Sequence, residues 1–300
     1  METSIVCFGE MLWDMLPEGA MPGGAPMNVA IHLKYQGYAP KIISKVGGDD
    51  LGTALLDFLR GKGLSTEGIQ IGKTHLTGVV KANVTNRNEV VYKIVKPVAW
   101  DYIQYDKQMA ALVAESEVFI YGSLAARSTA TRQTLLRLLK QARLKVFDVN
   151  FRPPHYRRSR VEELLEYAHI VKMNHHELAE IMSWYAEHQT EQKSMAFLRS
   201  HFNLQTLVVT RGENGAIVLD RDGFAEHPGF QVAVEDTIGS GDAFLATFLH
   251  HHFQRDPMPQ ALENACLVGA LVASQKGATP LIEPAAKHNL MQAAPGKASS

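Results

Sequence analysis

Asp236-Thr237-Ile238-Gly239-Ser240-Gly241-Asp242-Ala243-Phe244 is the stretch on which the reading of the chain turns. Before it, Gln231 to Glu235 alternates at Val232 and Val234 and reads as a short strand. After it, Ala243 to His252 is apolar at Phe244, Leu245, Phe248 and Leu249, the spacing of a helix. A tight Gly-Ser-Gly turn therefore opens a helix, where unsatisfied N–H groups and the helix dipole favour an anion. Asp242 stands where that anion would bind. A carboxylate there is costly beside a phosphate unless it takes a proton from an attacking hydroxyl. The same residues allow a purely structural reading, in which Asp236 caps the turn, Gly239 and Gly241 supply positive φ, and Asp242 complements the dipole. A dinucleotide-binding fingerprint fits less well: Phe244 stands at the third small position, and the stretch lies late in the chain.

Outward from this turn, composition narrows the class. Three hundred residues, 46% of them apolar, suffice for one large α/β domain with a small appendage. The net charge is −1 and the basic residues are scattered, so neither a nucleic-acid surface nor a polybasic membrane patch is expected. Cys7 and Cys266 sit in apolar strand and helix contexts and read as buried free thiols of a reducing cytoplasm. Met1-Glu2-Thr3-Ser4 has no basic region followed by an apolar core, and no apolar run reaches membrane-spanning length.

In chain order, Ser4 to Gly9 reads as a central parallel strand and Glu10 to Met21 as an irregular or extended excursion. Pro22 to Asn28 leads into a helix over Val29 to Gln36, closed by Gly37. Gly23 and Gly24 let backbone approach a ligand, and Asn28 can donate to and accept from a polyol; a plain loop accounts for the same residues. Lys41 to Val46 is the next strand, and Asp49 and Asp50 cap a helix to Gly61 rather than hold a metal. Thr77 to Val98, with Asn86-Arg87-Asn88 inside it, reads as hairpin strands.

From Val118 the chain alternates strand and helix: Val118–Tyr121, Thr129–Arg143, Lys145–Val149, Val161–Tyr167 and Ile170–Met173. That pattern demands a parallel sheet covered on both faces, with its binding crevice at the carboxyl ends of the strands. Asn150, Arg152 and Asn174 fall at such ends. Arg152 suits a phosphate or sugar oxygens, or a structural salt bridge. His175-His176 and His250-His251-His252 lack zinc-ligand spacing and read as surface or capping residues. Gln205 to Thr210 and Ala216 to Leu219 are strands around Arg211 to Gly215, where Asn214-Gly215 is a tight-hairpin signal. Leu262 to Gln275 is a helix whose small residues admit a flat ring or tight helix packing.

Residues 236–244 resemble the C-terminal signature of the ribokinase-like, or PfkB, sugar kinases, Asp-Thr-x-Gly-Ala-Gly-Asp-x-Phe. Ser240 replaces the usual Ala, and Thr247 stands where the family places Gly one helical turn on. Gly23, Gly24, Asn28, Ala30, Gly37 and Gly47 fall at the spacings of its N-terminal signature. Asp148-Val149-Asn150-Phe151-Arg152 resembles the Asp-x-Asn-x-Arg segment of fructokinases, and Ala99-Trp100-Asp101 points the same way. The likeness covers residues 1–292 and leaves the Ala- and Ser-rich 293–300 as a disordered tail.

The resemblance implies a three-layer α/β/α sandwich with a mainly parallel sheet and a small β-sheet lid, formed by about 11–22 and 77–105. Relatives use such a lid over the sugar and for homodimer contacts, and Lys93 and Tyr105 could reach the sugar from it. It implies ATP-dependent phosphorylation of a primary hydroxyl of a small sugar, D-fructose first. Asp242 is the base, and the N–H groups of Gly239, Ser240 and Gly241 stabilise the transferring group. Asp14, Gly24, Asn28, Asn150 and Arg152 hold the sugar. Thr210, Gly212 and Gly215 border the nucleotide phosphates; Asn264 and Gly277 flank adenine. Asn174 and Glu177 organise Mg²⁺ through water. Asp236, Ile238, Val272, Gln275 and Gly277 match a K⁺ loop. Ribose, 2-keto-3-deoxygluconate, nucleosides and aminoimidazole riboside stand as alternative substrates. A non-catalytic sugar or nucleotide sensor is the alternative outside the enzymes.

Overall fold

The computed structural model describes residues 3–17, 19–84, 90–185 and 190–293. By its internal contacts the chain divides into Met1–Arg143 and Leu144–Ser300. The first unit runs β1 (Ile5–Phe8), β2 (Leu12–Leu16), β3 (Gly19–Gly23), α1 (Ala25–Tyr35), β4 (Lys41–Gly47), α2 (Asp50–Gly61), β5 (Ile69–Gly72), β6 (Gly78–Val84), β7 (Val90–Ile94), α3 (Lys107–Glu115), β8 (Val118–Gly122) and α4 (Thr129–Leu139). β1 is buried along its whole length and pairs in parallel with β4 on one side and β8 on the other. Its unbroken apolar run suits a strand covered on both faces. β5 extends this parallel sheet beyond β4.

A second sheet in the same unit has the order β3-β2-β6-β7. The stretch after Glu10, expected as an irregular or extended excursion, is extended: an antiparallel hairpin with Leu12 opposite Gly23 and Asp14 opposite Met21. β2 then pairs in parallel with β6, and β6 antiparallel with β7. The Trp13 indole donates to Leu51 O at 2.9 Å, which ties this sheet to the start of α2. Asn86-Arg87-Asn88 lies outside the described residues. Strand structure ends at Ile94, and Ala99–Tyr102 is a buried 3-10 turn. Its Asp101 accepts two hydrogen bonds from the buried Arg127 guanidinium, at 2.7 and 2.8 Å, and Arg127 also stacks 3.7 Å over the Trp100 ring.

Asp49 caps α2 as expected, accepting from Gly52 N at 2.8 Å. It also accepts from the hydroxyl and N–H of Thr77 at 2.6 and 2.8 Å, so its oxygens are committed to structure.

The second unit runs β9 (Leu144–Asp148), α5 (Arg158–Tyr167), β10 (Ile170–Asn174), α6 (His175–Ser183), α7 (Glu191–His201), β11 (Thr206–Thr210), β12 (Ala216–Asp220), β13 (Gly223–His227), α8 (Ser240–Gln254), α9 (Met258–Ala273) and α10 (Pro284–Ala293). β9, β10 and β11 are parallel neighbours; β12 and β13 continue the sheet antiparallel. Phe244 and Phe248 of α8 pack with Leu262, Ala265 and Cys266 of α9 against Val208, Ala216 and Val218 of the strands.

Three expectations change here. Gln231 to Glu235 is not a strand: it has no ladder partner among the described residues, and Val234 is 62% exposed. A residue alternation shows which groups can face a core but cannot supply a neighbouring strand. As expected, β11 and β12 flank Arg211 to Gly215, and this loop holds a 3-10 turn over Gly212–Asn214, closed by Arg211 N donating to Gly215 O at 2.7 Å. β13 carries little apolar signal and was not expected, nor was α10, whose Leu290 and Met291 pack on the same core as α9. Helix α10 ends at Ala293; the rest of the expected disordered tail, 294–300, lies outside the described residues.

Candidate active site

The turn before α8 is built as its sequence requires, with one difference. Gly239 is left-handed at φ 79°, and a side chain there would collide with Ala278 backbone. Gly241 is an ordinary helical residue; its small size matters because a Cβ would come within 3.1 Å of Lys172 Nζ. Asp236 accepts from Ile238 N at 2.9 Å with one oxygen and from Gly277 N at 3.3 Å with the other, and so ties the turn to the chain after α9. Asp236 N and Glu235 N both donate to Ala273 O, and Gln275 N to Val272 O. The residues expected to form a cation loop are thereby brought together.

Helix α8 begins at Ser240, three residues earlier than the hydrophobic spacing suggests. Asp242 therefore lies in its first turn, and it is 8% exposed. Ser240 N donates to Thr237 O at 3.3 Å, while Gly239 N and Gly241 N have no acceptor among the described residues. Two free donors at a helix start form an anion site.

Beside the turn is a cavity of about 210 Å³ lined by Ser240 and Gly241, by Thr210, Gly212 and Gly215 of the β11–β12 loop, and by an apolar wall that includes Phe230, Phe244, Cys266 and Ala270. Polar backbone at one end and apolar side chains at the other suit a ligand with an anionic part and a flat ring. Asn264 and Gly277 are not on this lining. The Asn264 amide turns back to Gln260 O on its own helix at 2.9 Å.

Around Asp242 the structure adds a residue that sequence reading passed over. Lys172, buried within β10, places Nζ 3.1 Å from Asp148 Oδ1. Burial works against its charge, yet Asp148, Glu177 and Asp242 outweigh it and hold the ammonium above the ordinary lysine value. A lone lysine between Val171 and Met173 in a fully covered strand was the available signal.

Asn174 and Glu177 form a reciprocal cap on α6: Asn174 Oδ1 accepts from Glu177 N at 2.9 Å, and Glu177 Oε2 from Asn174 N at 2.8 Å. Glu177 Oε1 also accepts from Phe151 N at 2.7 Å. Burial pushes this carboxyl above the usual range, against the pull of Lys172. The loop it holds carries Asn150, left-handed at φ 39°, and Arg152. Arg152 is exposed and has no ion pair among the described residues, so the salt-bridge reading of it falls away.

In the first unit, Gly24 is the N-cap of α1 at φ 120°, where a Cβ would strike Glu10 O. Asn28 sits in the first turn of that helix, 3% exposed. The Asp14 carboxylate occupies the space a side chain at Gly23 would need. Lys93 is exposed on β7. Tyr105 is instead taken up by α4 and the residues after it, its ring under Arg137 at 3.5 Å and its hydroxyl accepting from Gln141 at 3.0 Å. His175 and His176 are exposed, and His251 Nδ1 lies 2.7 Å from Asp256 Oδ2. No three His, Cys, Asp or Glu residues cluster as metal ligands among the described residues. No helix among them is long and apolar enough to cross a membrane.

Comparison with known proteins places this geometry. The family model for pfkB family carbohydrate kinases matches residues 19–285. Fructokinase-2 of Oryza sativa subsp. japonica is 27% identical over 309 residues, covering 93% of this chain and 90% of that protein. The crystal structure of a fructokinase with bound ATP from Xylella fastidiosa superposes with a TM-score of 0.83 at 25% identity, over 98% of this chain and 99% of the other. A putative ribokinase II from E. coli, in its apo form, has the same TM-score at 19% identity, over 97% and 100% of the two chains, and shows the fold alone. The fold is ribokinase-like, and with the match to the family model over most of its length the chain belongs to the pfkB family of carbohydrate kinases, as an ATP-dependent carbohydrate kinase.

Proposed function

We propose that this kinase transfers the γ-phosphoryl group of ATP to a primary hydroxyl of a small sugar, with D-fructose as its substrate. The observation that carries the reading is Asp242, a buried carboxylate in the first turn of a helix whose Gly239 and Gly241 N–H groups await an anion. A protein that only bound a phosphate would gain nothing from a negative charge there. Asp242 takes the proton of the attacking hydroxyl as the new P–O bond forms and the bond to the β-phosphate oxygen breaks, leaving ADP. The N–H groups of Gly239 and Gly241, with Ser240 between them, hold the charge that grows on the phosphoryl oxygens. Little covalent work remains for the protein, and positioning carries the rest.

The other roles follow the same reading. Asp14, Gly24, Asn28, Asn150 and Arg152 bind the sugar hydroxyls. Thr210, Gly212 and Gly215 border the nucleotide phosphates, and the apolar wall takes the base. Asn174 and Glu177 would hold waters of a bound Mg²⁺, whose charge would offset that of the nucleotide phosphates. The oxygens here fit a hard cation: Asp148 Oδ2 is buried with no hydrogen-bond donor among the described residues, and the two Glu177 oxygens accept from Phe151 N and Asn174 N and keep lone pairs. Asp236 with the carbonyls of Ile238, Val272, Gln275 and Gly277 would hold K⁺. The four-stranded sheet of the first unit, within about 11–22 and 77–105, serves as a lid and as a homodimer contact.

Fructose is supported by the Asp148-Val149-Asn150-Phe151-Arg152 segment and by the fructokinase relatives. The test is a coupled ADP-release assay with ATP and Mg²⁺ across fructose, ribose, 2-keto-3-deoxygluconate, adenosine and aminoimidazole riboside. Turnover on fructose well above the others supports the proposal. Preference for another sugar on the panel overturns the substrate and keeps the reaction.

A further inference from the structure

The loop that carries Arg152 is gripped at two points by one face of α6. Glu177 and Glu180 lie three residues apart on that helix, so both carboxylates face the loop. Glu177 takes Phe151 N–H at 2.7 Å, immediately before Arg152. Glu180 takes the Tyr156 hydroxyl at 2.5 Å, four residues after it. Between these points the chain folds on itself: His155 N donates to Arg152 O at 2.7 Å, and the Tyr156 ring stacks on the Phe151 ring with centroids 4.0 Å apart and planes 8° apart. Phe151 is buried and also meets Trp184 at 6.0 Å. Burial and the Glu180 carboxylate push the Tyr156 phenol up to about 12, so the hydroxyl keeps its proton and remains a donor across the working range.

Among the described residues the Arg152 guanidinium has no ion pair and donates only to the adjacent Phe151 carbonyl, at 3.0 Å. An exposed arginine normally samples many rotamers, and ordering it on binding costs free energy. A backbone fixed on both sides removes part of that cost before the ligand arrives.

We propose that Tyr156, held between Phe151 and Glu180, is a positioning residue that presets Arg152 for the acceptor sugar. This rests on the reading of Arg152 as a sugar contact. The hydroxyl and ring of Tyr156 act through the loop backbone and touch neither substrate.

The experiment is a double-mutant cycle on the full chain, reading the KM for D-fructose and for ATP separately. Arg152→Ala and Tyr156→Ala each raise the fructose KM, Tyr156→Ala by about fivefold or more, with the ATP KM little changed. Tyr156→Phe, which keeps the stacked ring and loses only the hydroxyl, gives a smaller rise and guards against a variant that fails to fold. In the Arg152→Ala background, Tyr156→Ala adds nothing further. If the two effects multiply while Arg152→Ala alone is impaired, Tyr156 does not act through Arg152 and the proposal is overturned, with the sugar-binding reading intact. If Arg152→Ala leaves the fructose KM unchanged, the reading of Arg152 falls and the proposal with it.

Discussion

Lys172 Nζ lies 3.1 Å from Asp148 Oδ1, and both side chains are buried. A buried ion pair is a weak source of net stability, but removing one partner leaves an uncompensated charge in the interior. Lys172→Met should therefore lower the unfolding free energy by ~3–5 kcal/mol, measured by urea denaturation. Lys172→Met combined with Asp148→Asn should recover part of that loss, since no charge is then stranded. A double variant no more stable than the single one would refute this account of the pair.

Asp242 is the residue whose loss should separate chemistry from binding. Asp242→Asn keeps the size of the side chain and its place in the first turn of α8, but cannot take the proton. Turnover should fall ~10²-fold or more, with ATP affinity nearly unchanged. Steady-state kinetics beside nucleotide titration reads both quantities, and a variant with wild-type turnover would rule out Asp242 as the base.

Gly239 and Gly241 should respond differently to the same substitution. Gly239→Ala meets both a left-handed backbone and the Ala278 backbone, so it should distort the turn, with a strain cost of about 1–3 kcal/mol, and weaken ATP binding. Gly241 has ordinary helical backbone, and Gly241→Ala has to displace only the end of the Lys172 chain. It should be the milder change in a thermal melt. Equal losses would show that crowding, not backbone conformation, governs the turn.

Both cysteines are buried, and burial pushes the Cys266 thiol up to about 12 and the Cys7 thiol higher. The thiolate is the reactive form, so a disulfide-exchange reagent at pH 8 should modify neither quickly in the native protein and both after unfolding. The sign of the linkage is definite. The folded state favours the protonated thiol, so its contribution to stability is complete below the unfolded value near 9 and is lost as pH rises toward 12. Stability measured between pH 8 and pH 10.5 should fall, and fall less in Cys266→Ala. Rapid native labelling of Cys266 would contradict its burial in the cavity wall.

Much of the architecture was legible in local pattern. The fully apolar run at Ile5–Phe8, the strand and helix alternation from Val118, and the Gly-Ser-Gly turn ahead of an apolar-periodic helix each carry their own period or their own backbone demand. Asp49 announced itself as a cap because a capping carboxylate needs only the N–H three residues on. What failed, failed where the deciding partner is remote. Gln231 to Glu235 has the alternation of a strand and no strand to pair with, whereas Gly223–His227 has little alternation and pairs with β12.

By itself the sequence determined the parts whose physics is short-range: the Gly-Ser-Gly turn, the carboxylate in its helix, the Asp49 cap and the apolar strands. Tertiary structure alone decided which distant groups share a charge environment. Lys172 stands out in sequence only as a lone lysine in an apolar strand, and becomes consequential because β9, α6 and α8 bring Asp148, Glu177 and Asp242 within its field. Likewise, Arg152 lost its salt-bridge reading only when no carboxylate among the described residues was found to pair with it. Backbone and capping forces act over a few residues and are written in order along the chain. Desolvation and Coulomb interactions depend on distance through space, and folding sets that distance.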